Sequence, residues 1–245
     1  METQLGSSPD TLPYAIVTEY QRILIMWYAC YGRPLAWRVT DEPYRVLVAE
    51  FLLQKTDATK AQAVYEDFVS SWPSPSALAN ACMSELASVL RPLGLHYRAR
   101  RLRAVAGTIM QEFGGIVPPN EADLLRLPGV GRYIASAVRC FAFYQPVAIL
   151  DANVIRILGR AFGVRSDTAR PRDDPQLWRF AQSLVPSHAP REYNWGLLDY
   201  GASVCRRSNP LCDNCALSRL CSARMLRKTG ETHGQSSTAR QPNGG

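Results

Sequence analysis

Two carboxylates and four cysteines stand out in this sequence as residues able to do chemistry. Glu50 lies inside the run Val46-Leu47-Val48-Ala49-Glu50-Phe51-Leu52-Leu53, which is apolar on every side of a helix. A carboxylate there is costly to bury unless it is paired or functional. Burial raises its pKa and lets it carry a proton near neutrality, as a general acid must. An arginine partner would instead make it structural. Asp151 follows an apolar run, Ile149-Leu150, and precedes a helix carrying Val154, Ile157, Leu158 and Phe162. It can serve as a reactive carboxylate or as an ordinary helix N-cap. Cys205, Cys212, Cys215 and Cys221 have the spacing C-x6-C-x2-C-x5-C. Four thiolates in so short a segment can enclose a tetrahedral ion or a cubane cluster, and the spacing does not choose between zinc and [4Fe–4S]. Arg206, Arg207 and Arg219 share these loops and would present cations to a phosphate backbone.

A glycine turn precedes Asp151. Leu127-Pro128-Gly129-Val130-Gly131-Arg132-Tyr133 separates one apolar segment (Leu124, Leu125, Leu127) from a helical pattern of Ile134, Ala137, Val138 and Phe141. Such a hairpin either connects two helices or offers backbone N–H groups to a phosphate. A second anion-seeking stretch is Gly94-Leu95-His96-Tyr97-Arg98-Ala99-Arg100-Arg101-Leu102-Arg103, the densest basic cluster, with aromatics beside it. Basic and aromatic residues at a turn suit backbone neutralisation and insertion into a base stack; a solvated helix face is the other reading.

The elements that must position these residues are helical. A helix is expected over 14–31, broken at Tyr31-Gly32-Arg33-Pro34, with Trp37-Arg38 extended. Asp41-Glu42-Pro43 starts the helix of Glu50, running to Lys55. Helical periods follow over 61–72 and 75–90, split by Pro73-Ser74-Pro75, then over 104–113, ending at Gly114-Gly115. Residues 121–127 lead into the hairpin. A charged connection, 164–174, precedes helices near 175–185 and 191–204. The first 13 residues and those from 226 onward are polar and expected to be disordered.

The chain has 245 residues, a formal charge of +7 and a pI near 9.2, which favours an anionic partner. Arginine supplies most of the positive charge and suits phosphate forks. The longest apolar stretch, Ile23–Tyr31, is too short to span a bilayer, so no membrane role is expected. The N-terminus lacks the basic and apolar regions of a signal peptide, giving an expected cytoplasmic, nucleoid-associated location. The remaining cysteines, Cys30, Cys82 and Cys140, sit in apolar helical surroundings and are expected in the core.

Taken together, the hairpin, Ile149-Leu150-Asp151-Ala152-Asn153-Val154 and the cysteine box resemble the helix-hairpin-helix DNA glycosylases with an iron–sulfur cluster, the superfamily of endonuclease III and the MutY adenine glycosylase. Pro43-Tyr44 through Glu50 to Thr56 is similar to that family's helix bearing the catalytic glutamate. The likeness spans about residues 14–225. It implies an all-α fold of two lobes: a helical barrel of about 41–148, and a cluster lobe joining 14–40 to 149–225. It implies a [4Fe–4S] cluster on the four cysteines and double-stranded DNA, carrying a mismatched or damaged base, in the cleft. Asp151 would stabilise the positive charge that develops on the sugar, and Glu50 would protonate the leaving base or orient water. Gln54 and the His96-Tyr97 turn would fill or wedge the duplex after base extrusion. The N–H groups near Gly129, Val130 and Gly131 would hold a phosphate, and Arg98 and Arg132 are expected among the DNA-binding residues. A monomer is expected.

Three departures sort the subfamily. Bifunctional members carry a lysine two residues after the second hairpin glycine, where this chain has Tyr133, so a Schiff-base amine is missing there and efficient lyase activity is not expected. The C-terminal domain that many adenine glycosylases use to read oxidised guanine has no counterpart in this sequence. Tyr133, Asp151-Ala152-Asn153 and Arg191-Glu192-Tyr193-Asn194-Trp195-Gly196-Leu197-Leu198-Asp199 are similar to the T/G mismatch glycosylases. The resemblance therefore implies thymine or uracil opposite guanine as substrate. Adenine opposite guanine or 8-oxoguanine is the rival, and a non-catalytic DNA-binding or redox-sensing module is the reading from another class.

Overall fold

Side-chain caps set where many of the helices begin. In the computed structural model, which describes residues 12–94 and 97–229, α1 is Tyr14–Tyr31, α2 is Pro43–Leu53, α3 is Ala58–Ser71 and α4 is Pro75–Ala79. Then follow α5 (Met83–Leu90), α6 (Tyr97–Glu112), α7 (Glu121–Arg126), α8 (Arg132–Phe141) and α9 (Ala152–Phe162). The chain continues through α10 (Pro175–Ser183), α11 (Pro190–Ser203) and α12 (Ser222–Thr229), and no strand occurs among the described residues. Glu42 accepts from the N–H groups of Tyr44 and Arg45 at 3.1 and 2.7 Å, with Pro43 in the first helical position. Asp57, Asn120, Asp151 and Asp174 cap α3, α7, α9 and α10 in the same way. The all-α expectation holds.

The differences have local causes. The span 75–90 is two helices: α4 ends at its C-cap Asn80, whose side-chain Nδ2 donates to the Ser76 carbonyl at 2.9 Å, and α5 starts after its N-cap Cys82. Trp37 and Arg38 form a short 3-10 turn over Ala36–Arg38 and are buried, rather than extended. The Asp57 cap moves the start of α3 to Ala58. The basic run lies within α6 from Tyr97 onward instead of at a preceding turn. α12 runs to Thr229, into the segment expected to be loose, while the two outer tails, 1–11 and 230–245, lie outside the described residues. Of the three cysteines expected in the core only Cys140 is buried; Cys30 and Cys82 are exposed.

Two apolar cores form. One gathers Phe51 and Leu52 of α2 with Phe68, Leu86, Leu102, Ile109, Leu124 and Val138. The other packs Tyr20 and Leu24 of α1 against Leu158, Phe162, Leu184 and Tyr200. α11 belongs to both: Trp195 lies in the first core and Tyr193, Leu197 and Tyr200 in the second. Its glycines permit close approach. A Cβ on Gly196 would come within 2.8 Å of the Leu24 carbonyl oxygen, and one on Gly201 within 2.6 Å of the Asn153 Cβ.

One buried arginine fixes the end of the Glu50 helix. Arg98 is fully buried, its Nη1 donates to Leu52 O at 3.0 Å, and its Nη2 donates to Gln54 O and Thr56 Oγ1. It therefore satisfies carbonyls at the C-terminus of α2, where a cation is favoured. Arg98 was expected among the DNA-binding residues; here its guanidinium is committed to the Leu52 and Gln54 carbonyls and the Thr56 hydroxyl. Arg98→Ala should cost about 2–4 kcal/mol, since it strands those acceptors. Arg98→Lys should recover less than half, because one ammonium cannot span them. Urea unfolding of the three proteins measures this, and equal midpoints would refute the brace.

Candidate active site

Glu50, Tyr133 and Asp151 line one cleft of about 1170 Å³ that lies between the two cores. Each arrives from a different element: Glu50 from the middle of α2, Tyr133 from the first turn of α8, and Asp151 from the N-cap of α9. Glu50 is 4% exposed and its Oε2 has no hydrogen-bond partner. Burial pushes its carboxyl up to about 8; the nearby Arg38 charge opposes the rise and Asp151 adds to it. Burial likewise raises the Tyr133 phenol well above its ordinary range, and both carboxylates add to this. The three groups thus feel one another's charge in a poorly hydrated space.

Asp151 is held as a cap and left half-buried in the cleft. Its Oδ1 accepts from the N–H groups of Asn153 and Val154, each at 2.8 Å, and its Oδ2 accepts from Asn153 Nδ2 at 2.9 Å. Burial raises its pKa, while these donors and Arg156 favour the anion. Arg156 Nη2 in turn donates to Asn153 Oδ1 at 2.9 Å and its Nε to the Cys205 carbonyl at 2.8 Å. Capping and chemistry are compatible here, since the cap geometry fixes where the carboxylate points.

Sequence reasoning missed the cation facing Glu50. Arg38 donates from Nη1 and Nη2 to Asp199 Oδ2 and Oδ1 at 2.7 and 2.9 Å, and its guanidinium lies 5.5 Å from the ring centroids of both Tyr28 and Trp195. Asp199 also accepts from the N and Nε of Arg33, each at 2.8 Å. Burial alone would raise the Asp199 pKa, but these two arginines hold it below the ordinary value. The only sequence trace of the pair was an aspartate in α11 and an arginine beside a tryptophan, 161 positions apart.

The other expected residues divide. Gln54, Tyr97, Gly129 and Gly131 line the cleft, and Gln54 Nε2 reaches Gly129 O at 3.5 Å. Gly129 has φ +82°, and a Cβ there would crowd Arg101 and Phe51 at 3.3–3.4 Å, so the turn needs glycine. The Val130 N–H donates to Leu127 O at 3.0 Å inside the hairpin, so it is not free for a phosphate, against expectation. No side chain caps α8 at Gly131, which leaves its first-turn N–H groups without such a partner. Arg132 is exposed and stacks 4.2 Å from the Trp178 ring centroid. His96 lies outside the described residues. The connection before α10, which had drawn no functional reading, supplies Arg170, Pro171 and Arg172 to the cleft.

All four box cysteines line a separate cavity of about 150 Å³. Tyr200 Oη lies 3.0 Å from Cys215 Sγ, and Arg160 Nη1 lies 3.4 Å from Cys205 Sγ. Among the described residues no three His, Cys, Asp or Glu side chains converge tightly enough to hold a single metal ion. No helix among the described residues is long and apolar enough to cross a membrane.

Comparison with known proteins agrees with this architecture. Residues 48–179 match the family model described as HhH-GPD superfamily base excision DNA repair protein. The chain is 43% identical over 205 residues to a thymine-DNA glycosylase of Aeropyrum pernix, covering 82% of this chain and 92% of that one. It is 38% identical over 216 residues to an adenine DNA glycosylase of Mycobacterium tuberculosis, covering 85% and 70% respectively. Its fold is similar to the solved structure of a thermostable thymine-DNA glycosylase, with a TM-score of 0.81 at 32% identity over 86% of this chain and 97% of that one. By its matched family model, its relatives and its helical cleft, the chain belongs to the HhH-GPD superfamily of base excision DNA repair proteins.

Proposed function

We propose that this protein is a monofunctional mismatch DNA glycosylase that hydrolyses the N-glycosidic bond of thymine or uracil opposite guanine in double-stranded DNA. The observation that carries the reading is a buried, unpartnered Glu50 carboxyl sharing a cleft with the oriented Asp151 carboxylate. The similarity to proteins named thymine-DNA glycosylase selects the base.

In this reading the target nucleotide leaves the duplex and enters the cleft between the cores. The C1′–N bond breaks and its electron pair leaves with the base. Asp151 stabilises the positive charge left on the sugar, held in place by the Asn153 and Val154 N–H groups. Glu50, neutral at pH 7 because burial lifts its pKa to about 8, supplies the proton that the departing base takes up. Water adds to C1′ and returns a proton. Tyr133 occupies the position of a lyase amine but cannot form a Schiff base, so the product is an abasic site in an unbroken strand. Gln54 and Tyr97, at the cleft wall, fill the space the extruded nucleotide leaves. The protein acts as a monomer.

Adenine removal is the second reading. A protonated Glu50 has an obvious task at purine N7, and the relatives include adenine DNA glycosylases.

Cys205, Cys212, Cys215 and Cys221 would hold a [4Fe–4S] cluster, their cavity lying beside the loop that Arg156 ties to Asn153. When bound, the cluster cross-links residues 205–221. Protein purified without oxygen should contain iron and acid-labile sulfide in equal amounts and show a broad visible absorption that Cys212→Ser removes. Stoichiometric zinc would exclude the cluster.

Duplexes with one T/G, U/G, A/G or A/8-oxoguanine pair test the substrate. Cleavage at T or U that appears only after hot alkali is expected, with no covalent product on borohydride treatment. Cleavage at A alone would transfer the protein to the adenine branch. Asp151→Asn keeps a good cap, so it should fold and bind DNA yet lose at least about 10²-fold in single-turnover rate.

Glu50→Gln gives a pH signature. The wild-type rate should fall as pH rises through about 8, where Glu50 loses its proton, and the variant should lack that limb. Stability should move the other way. Folded Glu50 binds its proton more tightly than the unfolded side chain, whose ordinary value is 4.5, so the wild type loses stability between pH 4.5 and about 8 and levels off above that. Glu50→Gln, lacking this slope of at most about 1.4 kcal/mol per pH unit, should gain on the wild type across the window. Parallel urea stability curves from pH 5 to 9 would show that Glu50 is not held protonated.

A further inference from the structure

The cleft has a basic edge that the reaction above does not use. Residues 164–174 connect α9 to α10, and their Arg170 and Arg172 line the same cleft as Asp151 and Glu50. Both side chains are exposed, and among the described residues neither forms an ion pair, although Asp167 and Asp173 share the segment. Of the arginines outside this cleft, exposed Arg22 and Arg126 and half-buried Arg224 are paired with carboxylates, while Arg170 and Arg172 stand at the cleft without such partners. Two unpaired guanidiniums at the edge of a site are ready for an anionic ligand.

The segment is held in shape. The Asp173 and Asp174 N–H groups donate to Arg170 O and Pro171 O at 2.8 and 3.2 Å, closing a 3-10 turn over Pro171–Asp173. Trp178 Nε1 donates to Arg172 O at 2.7 Å. The same indole carries Arg132 on its face, so the first residue of α8 and the 170–172 turn are fixed to one side chain. The hairpin and the connection therefore flank the cleft as two walls with a common anchor. A nucleotide passing between them brings the phosphates on either side of it, on its own strand, nearest to both walls.

We propose that the 164–174 connection is a second phosphate-binding wall, in which Arg170 and Arg172 take phosphates of the strand carrying the target nucleotide. The proposal rests on the glycosylase reading for its ligand. Trp178 is a positioning residue that sets the spacing between this wall and the hairpin.

Salt dependence reads the wall directly. Binding of a T/G duplex by Asp151→Asn protein is titrated at several KCl concentrations, alone and with Arg170→Ala/Arg172→Ala added. Each lost phosphate contact should lower the slope of log K against log salt by about 0.9, so the added pair should lower it by about 2. Arg170→Lys/Arg172→Lys should keep most of the slope. Arg22→Ala removes a charge at a paired, exposed site on α1 and should leave it unchanged. Neutral methylphosphonates flanking the mismatched thymine should weaken the parent and not the cleft variant. An unchanged slope in a variant with parental thermal stability would overturn the wall. Coupling only to methylphosphonates on the guanine strand would overturn the strand assignment. A parent protein with no duplex affinity would instead bring down the glycosylase reading, and this inference with it.

Discussion

A carboxyl group inside an apolar helix constrains everything around it. Glu50 is largely withdrawn from water where it sits, and its Oε2 finds no donor. Holding it there requires a helix apolar on all sides, and such a helix must be surrounded. The first core supplies that enclosure through α3, α6 and α8, and Arg98 ties the open end of α2 by bonding its last carbonyls. The destabilising group is thus set in a helix buried along most of its length, as expected where local strain serves chemistry.

A buried cation answers that constraint. Arg38, whose charge acts on Glu50, is neutralised by Asp199 of α11 and lies against the rings of Tyr28 and Trp195. A buried cation without those partners would not persist. Burial raises Asp151 as well, but the N–H donors at the start of α9 favour its anion and oppose the rise. Glu50 has no such donors, and burial dominates there.

Much of this was legible in the chain. Helix α1 was plain from its period, and the α2 start from Glu42-Pro43, since both signals are local. Glu50 stood out because a charge interrupts a run of seven apolar residues, and Asp151 because a cap residue follows an apolar run. The hairpin and the cysteine spacing identified the fold through resemblance. What escaped was non-local or a matter of degree. Arg98 looked like one cation among many in a basic run; only the approach of α6 to the end of α2 turns it into a brace. The Arg38–Asp199 pair joins segments that share no sequence signal. Asn80 ends α4 with its side chain on the Ser76 carbonyl, which propensity alone does not reveal. Cys30 and Cys82 have apolar neighbours in sequence but are exposed, Cys30 on α1 and Cys82 at the N-cap of α5. Arg170 and Arg172 lay in a connection whose only cue was charge.

The sharing of α11 between the cores bears on how a duplex would be searched. Trp195 is fastened into one lobe while Leu197 and Tyr200, one turn away, are fastened into the other, and Gly196 presses main chain against main chain at Leu24. A shift of α11 in one core is thereby felt in the other, so in the glycosylase reading much of the cost of fitting would fall on the nucleic acid, and a duplex weakened by a wobble pair would meet that cost more easily than a sound one.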